Sequence, residues 1–280
     1  TATCEIYTLS LHDALPICYF ITSGLLKDGK IELAKSMVDN FVYEITHYGA
    51  ILNANRTYYL TRSQPPFLTS MIIEVYQFLP KNEENSLWLK NCLIAAIKEY
   101  SDVWMAPSRV SDIGLNRYFD SGFGAPPEVE PGHFDAVYSV YAKKYGIEPK
   151  ELENAYKNGK IKSQELDEYF IHDRAMRESG HDTSYRLDDR CANVATVDLN
   201  SLLYKIEVDI AEILDLNFSG KLSMPDGTIV KSSDFKEKAL TRKNLIFKYL
   251  WDEKEGMFFD YDFVKKERTG YVSATTFYPL

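Results

Sequence analysis

The chain has 280 residues, an apolar fraction of 45% and a formal net charge of −9. This length supports one large domain or two small ones with a sizeable core. The negative charge argues against nucleic acid as a partner, because binding it needs a basic surface. No apolar run approaches the roughly 20 residues that span a bilayer, so no membrane partner is expected.

The cysteines and the N-terminus indicate the compartment. The four cysteines, at positions 4, 18, 92 and 191, show neither paired metal-ligand spacing nor a dense disulfide framework. The N-terminus lacks a basic region followed by an apolar stretch, so no secretory signal is predicted. A cytoplasmic protein with free thiols is the simplest interpretation. The 20 tyrosines fit a carbohydrate site, although they equally fit a tyrosine-rich core.

The first 17 residues, TATCEIYTLSLHDALPI, closely resemble one reading frame of a common sequencing adapter. The last base of the adapter would open the codon for Cys18. We therefore expect residues 1–18 to be a sequencing artefact and residues 19–280 to be native. Inspection of the encoding nucleotides tests this division, since codons unrelated to the adapter would contradict it.

Helical periodicity dominates the chain from Tyr19 onward. Between Gly29 and Gly49, apolar residues recur every four positions, which predicts an amphipathic helix that ends at Gly49. The segment 51–66 has no helical period and is predicted to be a loop with polar side chains at its surface. Further helices are predicted at 67–79, 86–100, 133–145, 150–157, 163–177 and 198–214, and from Ser233, as its cap, to Trp251. The last of these helices has Phe235, Leu240 and Phe247 spaced for burial, and the helix at 198–214 carries an apolar stripe of Leu199, Leu202, Ile206, Ile210 and Ile213.

The long segment 103–132 shows no regular period and carries charged residues among glycines and prolines. A connection of this length is uncommon in a compact domain and is often functional. Residues 256–263 alternate well enough for a short strand or an extended loop. Long helices separated by polar loops predict an all-α fold, either a toroid of helical pairs or a generic bundle.

The stretch RESGHDTSYR, residues 177–186, is the strongest candidate for chemistry. Gly180 permits a backbone turn, and Asp182 would then sit at a bend where it could transfer a proton to a bound substrate. A charged helix terminus with Asp182 as an N-cap is the alternative. For Arg186 we expect pairing with Glu178, with a contact to the site as the alternative. For Asp260 and Asp262 we expect solvated turns, with a place at the rim of the site as the alternative, and for Asp198 and Asn200 we expect helix capping.

Four segments, HDRAMRESGHDTSYR, NRTYYLTRSQPPFLT, VDLNSLLYK and YLWDEKEGMFFDYD, carry a family resemblance. Together they resemble the trehalases of glycoside hydrolase family 37, and within that family the cytosolic neutral trehalases of fungi. The resemblance identifies residues 19–280 as part of a trehalase catalytic domain. It implies an incomplete (α/α)6 barrel and the hydrolysis of α,α-trehalose, the expected partner, to two glucoses with inversion. No metal or other cofactor is expected for that reaction.

The same resemblance implies roles for individual residues. Asp182 matches the general acid, and Gly180 matches the glycine whose backbone touches the substrate. Pro126 replaces the arginine of the family's Arg-Pro-Glu motif, so one substrate contact of the family is in question. The other matched substrate-binding positions are Asn53, Arg62, Ser63, Gln64 and Glu128.

Two parts of the family's site are missing from the sequence. Only Tyr19 and Phe20 remain of the first family signature, and the glutamate that matches the water-activating base would lie beyond Leu280. An inverting glycosidase needs both an acid and a base. We therefore predict that the chain as written is an inactive piece of an enzyme. Any regulatory partners would act through an N-terminal region that is not present.

Two other functions remain open. A non-catalytic sugar-binding or regulatory protein of the same fold would tolerate the missing base. The doublets His172-Asp173 and His181-Asp182 occur in helical metal-dependent phosphohydrolases, but the remaining histidines are scattered. A metal-content assay on the purified protein would separate that enzyme from a metal-free glycosidase.

Overall fold

A computed structural model describes residues 15–54, 56–182 and 184–279 of the chain. Most of the segment expected to be an artefact, residues 1–14, lies outside this part, as does Leu280. Helices dominate the described residues. In chain order they are α1 (Leu15–Lys27), α2 (Ile31–Tyr48), α3 (Leu68–Phe78), α4 (Glu83–Glu99), α5 (Asp135–Tyr145), α6 (Pro149–Lys157), α7 (Gln164–Ser179), α8 (Val197–Phe218) and α9 (Ser232–Tyr249).

Helix α2 shows how closely local pattern sets an element. Gly49 ends it in the left-handed region, at φ 84°, and its amide donates to the Ile45 carbonyl. The predicted helix and its end are therefore confirmed. The buried face of α2 does not follow the predicted spacing of four residues throughout, because a helical face combines steps of three and four residues. Its buried members are Ala34, Val38, Phe41 and Ile45, whereas Leu33 and Met37 are only half-buried.

Helix α9 departs from the prediction at two points. It begins at Ser232, with no side-chain cap, so Ser233 lies inside the first turn and does not cap the helix. The predicted burial of Leu240 and Phe247 is also wrong, because they are 60% and 48% exposed. The buried face is instead formed by Phe235, Ala239, Arg242 and Ile246.

The helices pack as neighbouring pairs around shared apolar faces. Helices α1 to α4 contact one another, α3 packs against α8, and α8 packs along α9. This main core is continuous from α1 to α9. A second core lies among α5, α6 and α7, and consists of Phe134, Tyr138, Ala142, Leu152, Tyr156, Leu166 and Phe170.

Short strands connect the helix ends. Strand β1 pairs with β6, which pairs with β7, all antiparallel; β2 pairs with β3, and β4 with β5. The extended conformation predicted for residues 256–263 is confirmed by β5 and β6. The strands are β1 (Val194–Ala195), β2 (Lys221–Ser223), β3 (Ile229–Lys231), β4 (Trp251–Asp252), β5 (Met257–Phe258), β6 (Tyr261–Asp262) and β7 (Glu267–Arg268).

The pairing of β1 with β6 matters for the loops that follow. Val194 lies opposite Asp262, which brings the chain around residue 260 to the start of α8. The long segment predicted to be irregular begins with one π-helical turn, Tyr100–Trp104, and then runs through turns to α5. Within the described residues, none of the helices combines the length and apolarity that crossing a membrane requires.

Candidate active site

The turn after α7 carries the candidate proton donor. Gly180 ends the helix in the left-handed region, at φ 71°, which glycine adopts without the steric cost of a Cβ. Asp182 follows on this turn and is exposed. The predicted bend is therefore confirmed. Asp182 follows the C-terminus of α7, so the alternative that it caps the N-terminus of a helix is wrong.

Arg62 is the cation around which the predicted sugar-binding residues assemble. It is buried, 6% exposed, and its Nη2 lies 2.5 Å from Oε1 of Glu128. The same nitrogen donates to Oδ1 of Asn53 at 3.1 Å. The guanidinium also lies over the ring of Tyr59, 4.8 Å from its centroid. Three predicted site residues from different loops thus meet at one place.

Ser63 and Gln64 face the protein interior. The hydroxyl of Ser63 donates to the Ile51 carbonyl at 2.9 Å. The side-chain amide of Gln64 donates to the Leu52 carbonyl at 3.1 Å and to the Asn53 carbonyl. Both side chains therefore hold the loop 51–64 in shape, and their contact with a sugar stays a prediction.

Arg174, a residue that the sequence analysis did not single out, holds the loop that leads to Glu128. Its Nη1 donates to Oδ2 of Asp120 at 3.0 Å. Its other nitrogens donate to the carbonyls of Phe123, Gly124 and Ala125, at 3.1, 2.7 and 3.3 Å. One guanidinium on α7 thereby holds the loop at residue 120 and at residues 123–125.

Glu178, on the same helix, is fully buried at 0% exposed. Its Oε1 accepts the Ser63 amide at 2.8 Å and also binds Arg109, and its Oε2 accepts the Phe119 amide at 2.7 Å. The predicted pairing of Glu178 with Arg186 is therefore wrong. Arg109 takes that place, because the loop 105–119 returns to α7.

Arg186 instead binds two buried aspartates. Its Nε lies 2.5 Å from Oδ2 of Asp260, its Nη2 donates to Oδ1 of the same carboxylate at 2.7 Å, and Nη2 also binds Asp198. Asp260 and Asp262 are 2% and 4% exposed, so their prediction as solvated turn residues is wrong. Strand pairing of β1 with β6 buries both of them.

Asp198 and Asn200 were expected to cap α8, and this is also wrong. Thr196 is the cap, since its hydroxyl accepts the Leu199 amide. Oδ2 of Asp198 accepts the Tyr118 hydroxyl at 2.9 Å and lies 3.5 Å from Nε2 of His181. The side-chain oxygen of Asn200 accepts the amide of Asn116 at 2.8 Å, which ties the long loop to α8.

The pKa values of Asp182, on the turn, and of Asp198, in α8, are shifted in opposite directions. Although the side chain of Asp182 reaches the surface, partial desolvation of its carboxyl group raises its pKa, while Arg177 and Arg62 act against that rise. Burial would also raise the pKa of Asp198, but Arg186 and His181 hold it well below its usual range. A carboxyl group with a raised pKa keeps its proton to higher pH, as a general acid must. Asp182 fits that role.

We expect the substitution Arg177→Gln to raise the pKa of Asp182 further. Arg177 is the leading influence that favours the Asp182 carboxylate, and its loss also frees Asp173, whose charge disfavours it. The protonated form should therefore persist to higher pH. Carbon-13 NMR titration of labelled aspartates in the isolated chain checks this. The variant Arg268→Gln, at a half-exposed pair with Asp252, serves as the control, and an unchanged or lowered Asp182 pKa in Arg177→Gln would contradict the argument.

The His-Asp doublet on α7 is engaged in other contacts. Nδ1 of His172 accepts the Ala192 amide at 3.2 Å, and burial lowers the pKa of this imidazole. Oδ2 of Asp173 accepts Nε of Arg177 at 2.9 Å. Within the described ranges, no group of three or more His, Cys, Asp or Glu is placed to hold a metal ion. Both side chains of this doublet thus have protein partners.

A cleft of about 420 Å³ lies on another face of α7. It contains none of the predicted site residues, so cavity size does not mark the candidate site in this chain. The candidate site is marked instead by the convergence of the charged and polar side chains of Asn53, Arg62 and Glu128. The cleft is lined by Arg117, Phe119, Gln164, Asp167, Glu168, Ile171, His172 and Asn193.

The helices pack as neighbouring pairs, with loops that gather arginines and carboxylates, in agreement with the all-α toroid of helical pairs predicted from the sequence. A family model described as trehalase matches residues 18–280. This chain belongs to the trehalase family, which confirms the resemblance.

Individual relatives agree with the family match. The chain is 53% identical over 273 residues to a cytosolic neutral trehalase of Emericella nidulans, covering 94% of this chain and 36% of that protein. It is 49% identical over 266 residues to the cytosolic neutral trehalase of Saccharomyces cerevisiae, covering 94% and 35%. The solved structure of a neutral trehalase from S. cerevisiae superposes with a TM-score of 0.89 at 48% identity, covering 94% of this chain and 48% of that chain. The chain thus spans about a third of the length of these curated relatives.

Proposed function

We propose that this chain is part of an enzyme that hydrolyses α,α-trehalose to two glucoses with inversion. Asp182 is its general acid. The observation that carries the proposal is the convergence of Asn53, Arg62 and Glu128 close enough to Asp182 for Arg62 to influence its pKa. The sugar-binding residues proposed are Asn53, Arg62, Ser63, Gln64, Glu128 and Gly180.

The hydrogen-bonding state of this cluster supports a sugar as the ligand. Nε of Arg62 and Oε2 of Glu128 are buried and have no hydrogen-bond partner among the described residues, while Oε1 of Glu128 lies against Nη2 of Arg62. Buried polar groups are nearly always paired in native proteins. Sugar hydroxyls both donate and accept hydrogen bonds, so one bound glucose unit can satisfy the arginine and the carboxylate together.

The chemistry assigns this chain the acid half of an inverting reaction. Asp182 donates a proton to the glycosidic oxygen as the bond to the leaving glucose breaks. A second carboxylate, roughly 6.5–9.5 Å from the acid, removes a proton from the water that attacks the opposite face. We propose that this base is the glutamate that the family resemblance places beyond Leu280, so the isolated chain does not turn over trehalose. Attack with inversion releases one β-glucose, while the leaving unit departs as α-glucose.

The remaining assignments follow the relatives. Because the relatives described above are cytosolic neutral trehalases, we propose a cytoplasmic location and trehalose as the small-molecule partner. Residues 19–280 are proposed to be part of the catalytic domain, and residues 1–18 to be non-native. No cofactor is part of the proposed reaction.

The test compares the isolated chain with a chimera. In the chimera, residues 19–280 replace the matching segment of the cytosolic neutral trehalase of S. cerevisiae. We expect the chimera to hydrolyse trehalose and release α- and β-glucose in equal amounts at early times, as followed by proton NMR. We expect no glucose from the isolated chain at the same concentration.

Each other outcome has a definite meaning. Turnover by the isolated chain would contradict the missing base. A folded chimera that binds trehalose without cleaving it would favour the sugar-binding alternative. A folded chimera that neither binds nor cleaves trehalose would contradict the proposed function.

A further inference from the structure

Glu178 occupies an unusual place between the candidate acid and the candidate sugar-binding loops. It lies in the last turn of α7, four residues before Asp182, and Ser179, Gly180 and His181 lie between the two. Its carboxylate is fully buried and accepts hydrogen bonds from two backbone amides as well as the Arg109 guanidinium. The contacts therefore come from two separate loops, one that contains Ser63 and one that contains Arg109 and Phe119.

The two amides belong to the loops that carry the site. Ser63 is the neighbour of Arg62, and its amide lies 2.8 Å from Oε1 of Glu178. Phe119 precedes Asp120, and its amide lies 2.7 Å from Oε2. Asp120 in turn lies 3.9 Å from Nη1 of Arg62. Glu178 therefore ties to α7 both the residue next to Arg62 and the residue next to its partner Asp120.

Burying this carboxylate is costly unless its charge and hydrogen bonds are fully compensated. An apolar side chain could fill the same space in α7 without that cost. What an apolar side chain could not do is accept the two loop amides at once. The two oxygens of the Glu178 carboxylate each accept an amide of a different loop, which explains why a charged residue occupies this buried position.

We propose that Glu178 is a positioning residue that sets the placement of Arg62 and of the loop leading to Glu128 relative to Asp182. The proposal rests on the proposed function, because it assigns those three residues to one sugar site. Glu178 itself does not touch the sugar. It acts through the Ser63 and Phe119 amides, and the helix end at Gly180 transmits its position to Asp182.

The substitution Glu178→Gln keeps the size of the side chain but replaces one acceptor oxygen with an NH2 donor. That donor would face either a loop amide or Arg109, so at least one of the contacts must be lost. A matched control is Glu207→Gln. Glu207 is also buried, 1% exposed, and accepts Nε of Arg242 at 2.8 Å and the Tyr100 hydroxyl at 2.7 Å. It contacts no backbone amide of a site loop.

Amide hydrogen exchange in the isolated chain measures directly whether Glu178 protects the two loop amides. In Glu178→Gln we expect the amides of Ser63 and Phe119 to exchange at least about tenfold faster, while amides in the middle of α8 keep the parent's protection. In Glu207→Gln we expect the Ser63 and Phe119 amides to behave as in the parent. Unchanged exchange at both amides in Glu178→Gln would overturn the proposal.

Steady-state kinetics in the chimera reads the consequence, with rates expressed per folded molecule. We expect Glu178→Gln to lower kcat/KM at least about tenfold, with a loss in kcat, because a displaced reacting group loses productive alignment. We expect Glu207→Gln to keep kcat/KM within about threefold. If the parent chimera is active and Glu178→Gln matches it, Glu178 has only a structural role and this inference alone fails. If the parent chimera neither binds nor cleaves trehalose, the proposed function is contradicted, and so is the inference that rests on it.

Discussion

The substitution Asp182→Asn in the chimera is expected to lower kcat for trehalose by about 10³-fold, within the range that a positioned general acid contributes. Asparagine keeps the shape of the side chain on the turn after Gly180 but has no acidic proton to give. Because the ion pair of Arg62 and Glu128, the proposed sugar-binding residues, is left in place, KM should change little. Initial rates of glucose release over a range of trehalose concentrations measure both quantities.

The control for this experiment is Asp188→Asn. Asp188 is exposed and lies on the same loop, so its substitution makes the same Asp→Asn change in the same region without touching the proposed chemistry. We expect its kcat to stay within about threefold of the parent. An Asp182→Asn chimera that keeps more than about a tenth of the parent's kcat would contradict the role of Asp182 as general acid.

The substitution Arg186→Met is expected to destabilise the isolated chain by about 3–5 kcal/mol at neutral pH. Arg186 is the partner of two buried carboxylates, those of Asp198 and Asp260, which are 1% and 2% exposed. Methionine fills most of the space but leaves both charges without their cation. Urea-induced unfolding followed by circular dichroism gives the free energy of unfolding of both proteins.

The exposed ion pair of Lys236 with Asp215 supplies the control. Its nitrogen and oxygen are 2.6 Å apart, but the side chains are 61% and 38% exposed. Lys236→Met should therefore change the free energy of unfolding by at most about 1 kcal/mol. An equally small effect of Arg186→Met would contradict the energetic role given to the buried pair.

The effect of Arg186→Met should also depend on pH. The pKa of Asp198 in the folded chain is held well below its usual range, mainly by Arg186 acting against burial. A lowered folded-state pKa contributes stability above the unfolded pKa, about 3.9, and that contribution is lost as the pH falls towards the folded pKa. The difference in unfolding free energy between parent and variant should therefore narrow in acid.

Local pattern predicts most helices because their apolar faces must pack on one another. The helix predicted at 67–79 is α3, Leu68–Phe78, and every residue of the stripe predicted for α8 is buried. Gly180 is a similar case, since a glycine after an amphipathic run is typical of a left-handed helix end. In each case the determining contacts lie within one element or its close neighbour.

The wrong predictions concern residues whose partners are distant in sequence. Asp260 lies in a polar stretch and resembles a solvated turn residue, but its partner Arg186 is 74 positions earlier. Glu178 had been assigned to Arg186, eight positions away, whereas Arg109 reaches it from 69 positions upstream. No local pattern specifies which buried charges will meet, because the pairing depends on how β6 and the long loop fold back.

One signal could have revealed the loop-holding residues on α7. Phe170, Arg174 and Glu178 are four residues apart, so they share one helical face, and all three are buried. Charges that continue an apolar face just before a reactive turn indicate an interior polar network. The convergence of Asn53, Arg62 and Glu128, by contrast, was expected only from family resemblance, since they lie on two unrelated loops.

The central claim is that Asp182, Arg62 and Glu128 surround the scissile bond and one glucose unit of bound trehalose. A crystal structure of the chimera with a non-hydrolysable trehalose analogue tests it most directly. We predict a carboxylate oxygen of Asp182 within about 3.2 Å of the bridging atom, with sugar hydroxyls bound by Arg62 and Glu128. A bridging atom out of reach of Asp182, or bonded to a different acid of this chain, would contradict the claim.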